Sequence, residues 1–266
     1  MNKEDKYLFK NLQAFRERLH TKPTLFFDYD GTLTPIVARP ERAYMSYEIH
    51  ELLRVLTRFY TVVVISGRTL KDVMERVDIE EIIYAGNHGM EIYSKWFTMV
   101  YDFGGAVKIL LRRLNNELKG LAEKYKGAIV EDKGFTLSIH YRLVDIREAE
   151  RLVAEVKALL KPFEERRQIR VTEGKKVVEI RPPTTWNKGE AVRWLMERPL
   201  LKGTVPLYVG DDVTDIDAFR AIGSSGVSIS VGRMEEDAQF YLKSQSEVKR
   251  LLKYLKELAE RREFDG

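Results

Sequence analysis

Two aspartates two residues apart, Asp28 and Asp30, stand directly after the apolar run Leu25-Phe26-Phe27 and around the turn residue Gly31. The run reads as a buried strand, and Gly31 and Pro35 break it and turn the chain. Both carboxylates therefore fall at the carboxyl end of a core strand, where open α/β sheets bind their ligands. Acids this close raise each other's pKa by repulsion unless a cation or hydrogen bonds hold them. Mg²⁺ meets that need, since it takes oxygen ligands and bridges to substrate phosphates. The chemistry that suits such a pair makes one Asp a nucleophile and the other a general acid and base. Asp28 ends the strand and takes the nucleophile's place; Asp30, on the turn, can reach a leaving-group oxygen. An acidic turn without chemistry would have the same letters. A calcium-binding helix–loop–helix needs its Gly at the sixth loop position and a Glu at the twelfth. Here Gly31 is at the fourth, so that reading fails.

Further chemistry-bearing residues recur at similar places. Ser66-Gly67-Arg68 ends the β-branched run Thr61–Ile65, and Thr69 then opens a helix with Asp72 three residues on, the spacing of a capping box. A Ser there can bind phosphate oxygens beside backbone N–H groups, or serve only as a turn. Asn187 and Glu190 form a second capping box, which puts Lys188 in a first helical turn, where the dipole disfavours a cation. A broken local rule marks a candidate site, and a bound phosphate would explain it; a solvent-facing Lys is the plain alternative. Val205–Val209 reads as a strand that ends in Gly210-Asp211-Asp212, with Asp215 and Asp217 following. The helix dipole accounts for Asp215 and Asp217; Mg²⁺ accounts better for the adjacent Asp211 and Asp212. His88 lies between Gly86-Asn87 and Gly89, in a loop beyond a strand over 81–85, where loops carry function.

The elements that must position these residues alternate. The spacing predicts a leading helix over 5–19, helices over 47–59 and from Thr69, and a hairpin of 90–93 with 97–101. Gly104-Gly105 breaks the pattern. Beyond it come a helix over 106–124, a hairpin of 128–130 with 135–141, a helix over 146–160, and a hairpin of 169–172 with 177–180 across Glu173-Gly174-Lys175. Pro182-Pro183 closes this section, and α/β alternation resumes through a last strand over 227–231 and a helix over 246–262. Residues 1–104 and 184–266 are thus expected to form an α/β core, and 105–183 an α+β insertion of domain size.

Composition bounds the partners. The 266 residues, 44% of them hydrophobic, suffice for one large domain or two modest ones. Net charge is +4, with 32% charged residues of both signs interleaved. That describes a solvated surface, not a nucleic-acid stripe, and a mild positive field suits an anionic substrate. With no Cys there are no disulfides or thiolate zinc sites. The first twenty residues lack the apolar core of a signal peptide, and no apolar run approaches a membrane span. The expectation is a cytoplasmic protein with no nucleic-acid or membrane partner.

In this order, DYDGT at 28–32, Ser66, Lys188 and Gly210-Asp211-Asp212 resemble the four motifs of the haloacid-dehalogenase-like (HAD) phosphatases. The resemblance implies a Rossmannoid core whose parallel sheet sets the Asp28 strand between those ending at Ser66 and Asp211. It makes the insertion a type 2 cap. It further implies Mg²⁺ held by Asp28, the Asp30 carbonyl and Asp211, with Asp212 and Asp215 in support. Asp28 would form an aspartyl-phosphate, Asp30 would move the protons, and Ser66 and Lys188 would hold the phosphoryl oxygens.

GNHGME at 86–91, EDKGFTLSIHYR at 131–142 and VVEIRPPTTWNKG at 177–189 resemble the trehalose-6-phosphate phosphatase family, over nearly the whole chain. That likeness implies hydrolysis of trehalose 6-phosphate as the final step of trehalose biosynthesis, functionally coupled to a trehalose-phosphate synthase. It assigns substrate contacts to Arg68, Asn87, His88, Glu131, Lys133, His140, Arg142 and Glu179, side chains able to pair with a hexose's hydroxyls. Sucrose, mannosylglycerate or glucosylglycerate phosphate would suit the same chemistry, and phosphohexomutases share DxDGT. Phosphate-accepting receiver domains lack the second Asp and a cap. The missing G-x-G-x-x-G after the first strand argues against a dinucleotide fold.

Overall fold

A computed structural model describes residues 6–37, 39–174 and 176–263 of the chain. The first part runs through helix α1 (Leu12–Arg18), strand β1 (Pro23–Asp28), α2 (Tyr47–Leu56), β2 (Thr61–Ile65), α3 (Leu70–Val77), β3 (Ile83–Gly86), β4 (Glu91–Tyr93) and β5 (Thr98–Val100). The middle holds α4 (Gly105–Ala122), β6 (Ile129–Asp132), β7 (Leu137–His140), α5 (Ile146–Glu165), β8 (Arg170–Gly174) and β9 (Val177–Arg181). The last part holds α6 (Lys188–Met196), β10 (Val205–Gly210), α7 (Ile216–Ile222), β11 (Val227–Val231), β12 (Phe240–Leu242) and α8 (Ser246–Glu263). The chain separates into two compact units, Met1–Val100 with Trp186–Gly266, and Tyr101–Thr185.

The first unit is built on a sheet of order β12-β11-β10-β1-β2-β3-β4-β5. It is parallel from β12 to β3 and antiparallel at β4 and β5. The β1 strand lies between β2 and β10, the order that the resemblance implies. Strands buried on both faces read as continuous apolar runs, and here the two-residue period divides each run between two cores. Leu25 and Phe27, Val62 and Val64, and Leu207 and Val209 enter one cluster, with side chains of α2 and α8. Phe26, Val63, Ile65 and Tyr208 enter the other, under α6 and α7. A mostly parallel sheet between two helical layers is the α/β core expected.

In the second unit, a four-stranded antiparallel sheet of order β6-β7-β9-β8 packs one face on α4 and α5. Leu137, Ile139, Val178 and Ile180 supply its side of the core; Leu111, Leu114, Leu118, Leu152 and Val156 supply the helices' side. Among the described residues, no helix is long and apolar enough to cross a membrane.

Several expected boundaries are corrected. The helix expected over 5–19 is a short 3₁₀ turn, Leu8–Lys10, followed by α1; Asp5 lies outside the described residues. Asn11 leaves the helical region at φ −125°, and Tyr7 pairs with Tyr241 beside β12, so long-range pairing overrides the local period. Helix α5 runs five residues beyond 160, past Pro162. Phe163 in that extension packs on the unit's core, which offsets the amide bond that Pro cannot make. The strand expected to be last is followed by β12, whose three residues are too few to show a period. Lys175, placed in the second hairpin's turn, lies outside the described residues.

The central strands dominate this architecture, so truncating one of their fully buried side chains tests it. Leu207→Ala should lower stability by about 2–5 kcal/mol through a cavity the sheet cannot collapse. That reads as a lower urea midpoint at unchanged slope.

Candidate active site

The period of the sheet aims Asp28. Phe27 points into one core, so Asp28 shares the face of Phe26. Helix α6 covers that face through Ala191, Val192 and Leu195, and Lys188 is its first residue. Its start is fixed by Asn187, whose side chain accepts the Glu190 amide at 3.0 Å. Lys188 Nζ lies 2.5 Å from Asp28 Oδ1 and 2.6 Å from Asp215 Oδ1. The ammonium is only 2% exposed, so the solvent-facing alternative is set aside.

Asp28, Asp211 and Asp215 are all buried, with one potential ligand atom from each within 4.8 Å of the others. Asp211 follows β10, whose Val209 pairs with Phe27 and so sets Gly210 opposite Asp28. Tyr208, on the Phe26 face, donates its hydroxyl to Asp215 Oδ1 at 2.8 Å. Asp212 and Asp215 form a reciprocal capping box, the Asp212 amide donating to Asp215 Oδ2 at 2.8 Å. Two glycines make room. A Cβ on Gly31, at φ +91°, would stand 2.3 Å from the Asp211 carboxylate oxygens, and one on Gly210 would stand 2.3 Å from Asp215 Cγ. The resemblance gives Asp215 a supporting place and the helix dipole gives it a plain one; its buried carboxylate lies beside those of Asp28 and Asp211 and bonds Lys188. The sequence signal was the capping-box interval from Asp212, together with Tyr208 on the inward alternation of β10.

The donor set fits a hard divalent cation. It offers only oxygen, which suits Mg²⁺ or Ca²⁺ and not a soft metal. Three buried carboxylates face one buried ammonium, and a divalent ion would balance the excess. Burial would draw the Lys188 pKa down, but Asp215 and Asp28 hold it above the ordinary lysine value. Burial pushes the Asp28 carboxyl well above the usual carboxylate range; Lys188 opposes this, and Asp215 and Asp211 add to it. A carboxyl raised in the folded state binds protons that the unfolded chain has lost, so its contribution to stability falls as pH rises through that interval. Asp28→Asn should therefore stabilise the chelator-treated protein at about pH 8, with Lys188 still paired to Asp215. The gain should shrink toward about pH 4, the unfolded carboxylate value. Urea titrations of both proteins at the two pH values test this; a difference that does not change with pH would sink it.

The other motif residues of this unit gather around the ends of β2 and β3. Asp28 pairs in register with Ile65, so buried Ser66 is the next residue along. Ser66 Oγ accepts the Arg68 amide at 3.1 Å. Asp30 does not turn to Lys188: its two oxygens accept Arg68 Nη2 and Nε, each at 2.7 Å. Asn87 and His88 are buried in left-handed conformations, φ 49° and 57°. Their amides donate to Arg68 O at 2.6 Å and Ser66 O at 2.8 Å, tying this loop to the end of β2. Asn87 Nδ2 also donates to Glu91 Oε2 at 2.6 Å.

The remaining candidates lie in the second unit. Glu131 pairs across the strands with Ser138, and Ser138 with Glu179, so all three share the sheet face opposite the helices. His140, two residues past Ser138, shares it too. His140 Nε2 lies 2.8 Å from Glu131 Oε2. Lys133 Nζ lies 3.9 Å from Glu131 and 3.7 Å from Glu179. Arg181, which the spacing did not single out, clamps Glu179 Oε2 with Nε at 2.7 Å and Nη2 at 2.5 Å. Arg142 is half-buried in the turn between β7 and α5. Five of these side chains thus form one charged cluster suited to a polyhydroxylated ligand.

Comparison with known proteins shows the family. The trehalose-phosphatase family model matches residues 26–259. The chain is 35% identical over 253 residues to a probable trehalose-phosphate phosphatase 3 of Oryza sativa subsp. japonica, covering 87% of this chain and 68% of that one. It is 37% identical over 219 residues to a trehalose-phosphate phosphatase of Mycobacterium tuberculosis, covering 81% of this chain and 55%, about half, of that one. Its fold resembles the C-terminal domain of the C. albicans trehalose-6-phosphate phosphatase, with a TM-score of 0.79 at 24% identity, over 92% of this chain and 94% of that one. With a family match of this extent, joined to a strand-end aspartate paired with a buried lysine, the chain belongs to the trehalose-phosphatase family.

Proposed function

We propose that this chain is a Mg²⁺-dependent phosphoric monoester hydrolase that converts trehalose 6-phosphate to trehalose and phosphate. The observation that carries the reading is the junction of Asp28 with Lys188 and two further buried carboxylates at the carboxyl ends of neighbouring strands. Asp28 attacks phosphorus as the bond from phosphorus to the sugar oxygen breaks, and Asp30 gives its proton to that oxygen. Water then attacks the phosphorus of the resulting aspartyl-phosphate, Asp30 takes the water's proton, and phosphate leaves with the Asp28 carboxylate restored. Ser66 and Lys188 hold the phosphoryl oxygens, while Asp215 keeps Lys188 charged and aimed. Bound at Asp28, Asp211 and the Asp30 carbonyl, Mg²⁺ would neutralise phosphoryl charge, the main requirement of this chemistry. Asp212 supports the site as the cap of the Asp215 turn.

The charged cluster of Glu131, Lys133, His140 and Glu179, with Arg142, selects the sugar through its hydroxyls; Asn87 and His88 are assigned sugar contacts of their own in the first unit. The substrate is a phosphorylated disaccharide, which a glycosyl transfer onto a sugar phosphate must supply; a trehalose-phosphate synthase is the functional partner of this step.

Phosphate release from trehalose 6-phosphate should vanish in chelator and fall at least about a thousandfold in Asp28→Asn. The ratio kcat/KM should favour trehalose 6-phosphate over sucrose, mannosylglycerate and glucosylglycerate phosphates, about tenfold per charged hydrogen bond lost. A folded protein inert toward all four esters would refute the proposal, and isomerised hexose phosphate in place of free phosphate would mark a mutase. Mg²⁺ at a hundred times its Kd should raise stability by about 2.7 kcal/mol, an increment that Asp211→Asn removes.

A further inference from the structure

Resting on the reading above, we propose that Arg68 is a positioning residue for Asp30: its guanidinium fork sets where the Asp30 carboxylate stands for both proton transfers. Arg68 Nε and Nη2 each reach a different Asp30 oxygen at 2.7 Å, and a two-bonded fork fixes direction as well as distance. The third nitrogen, Nη1, donates to Asp72 Oδ2 at 2.7 Å. Asp72 is gripped through its other oxygen by Arg76 Nε at 2.8 Å, and Arg76 Nη1 donates to the Ala43 carbonyl at 2.9 Å. The Tyr29 ring lies 5.4 Å from Arg68 Cζ, and its hydroxyl donates to the same Ala43 carbonyl at 3.1 Å.

The direction of control follows from this asymmetry. Arg68 is 10% exposed and fixed by Asp72 and the Tyr29 ring, whereas Asp30 is 41% exposed on a turn. The guanidinium is the frame, and the carboxylate is what it holds. Each of the three guanidinium nitrogens donates to Asp30 or Asp72, so these two acids fix the orientation of the fork. The arrangement also separates two acids that stand two residues apart, Lys188 taking Asp28 and Arg68 taking Asp30.

The test compares two esters on the same preparations of the full chain with Mg²⁺: trehalose 6-phosphate, whose sugar alkoxide must be protonated to leave, and p-nitrophenyl phosphate, whose nitrophenolate leaves without a proton. Because kcat/KM extends only to leaving-group departure, Arg68→Met should lower it about a hundredfold for the sugar ester, the size expected of a misplaced catalytic group. For the aryl ester the loss should be less than about threefold, whereas kcat should fall for both, since water's proton must be taken in either case. Arg68→Lys keeps the charge and loses the fork, and should stay within about threefold of Arg68→Met. Asp72→Asn loosens the frame and should show the same imbalance, about tenfold for the sugar ester. Equal losses of kcat/KM on both esters would reduce Arg68 to general structural support. A raised KM for the sugar ester at unchanged kcat would make it a substrate contact. Either result overturns the proposal while leaving the phosphatase reading intact; a wild-type chain inert on both esters, or an active Asp28→Asn, overturns the phosphatase reading itself.

Discussion

One buried ammonium organises the active end of this molecule. Lys188 lies between Asp28 and Asp215, away from water, where an unpaired charge would be intolerable and a paired one is held firmly. The lysine sits at a helix start that the dipole makes unfavourable for a cation, and the two carboxylates outweigh that dipole. Everything that brings those carboxylates to one point contributes to the same end: the parallel register of β1 with β10, the capping box at Asp212, the Tyr208 hydroxyl, and glycines at 31 and 210 that clear the space.

The sheet explains why this is economical in sequence. Because β1, β2 and β10 are buried on both faces, each must alternate between two cores, and the residue that follows the last core position takes the face of the residue two places before it. Asp28 is aimed at α6 by the same period that sends Phe26 there. The next acid, Asp30, lies beyond the strand and loses that guidance. A different cation on a different element receives it, and that cation is braced by Asp72 and Arg76 from α3. The two acids of one short motif are therefore held by two independent devices.

Much of the fold was legible from local pattern. Strands β2 and β11 coincide with their β-branched runs, and the Thr69 and Asn187 side chains accept the amides three residues on, because a strand period and an N-cap each act within one turn or one pleat. The return half of each expected capping box is lost, since Asp72 turns to Arg68 and Arg76 and Glu190 to Arg193. The errors have the opposite character. The leading helix is interrupted because Tyr7 pairs with Tyr241, more than two hundred residues away. Strand β12 exists because β11 offers an edge to it. In α5, the packing of Phe163 overrides a proline.

The same division runs through the site. By itself the sequence determined which residues could do chemistry, since DYDGT, Ser66, Lys188 and Gly210-Asp211-Asp212 each stand where a strand ends or a helix starts, and those ends are set by nearest neighbours along the chain. Only the tertiary structure decided who holds whom. Lys188 meets Asp28 across 160 positions and Asp215 across 27, and Arg68 meets Asp30 across 38. Those approaches depend on which face of the sheet each helix covers, and that choice is made by burial of whole apolar faces, not by any residue's local preference.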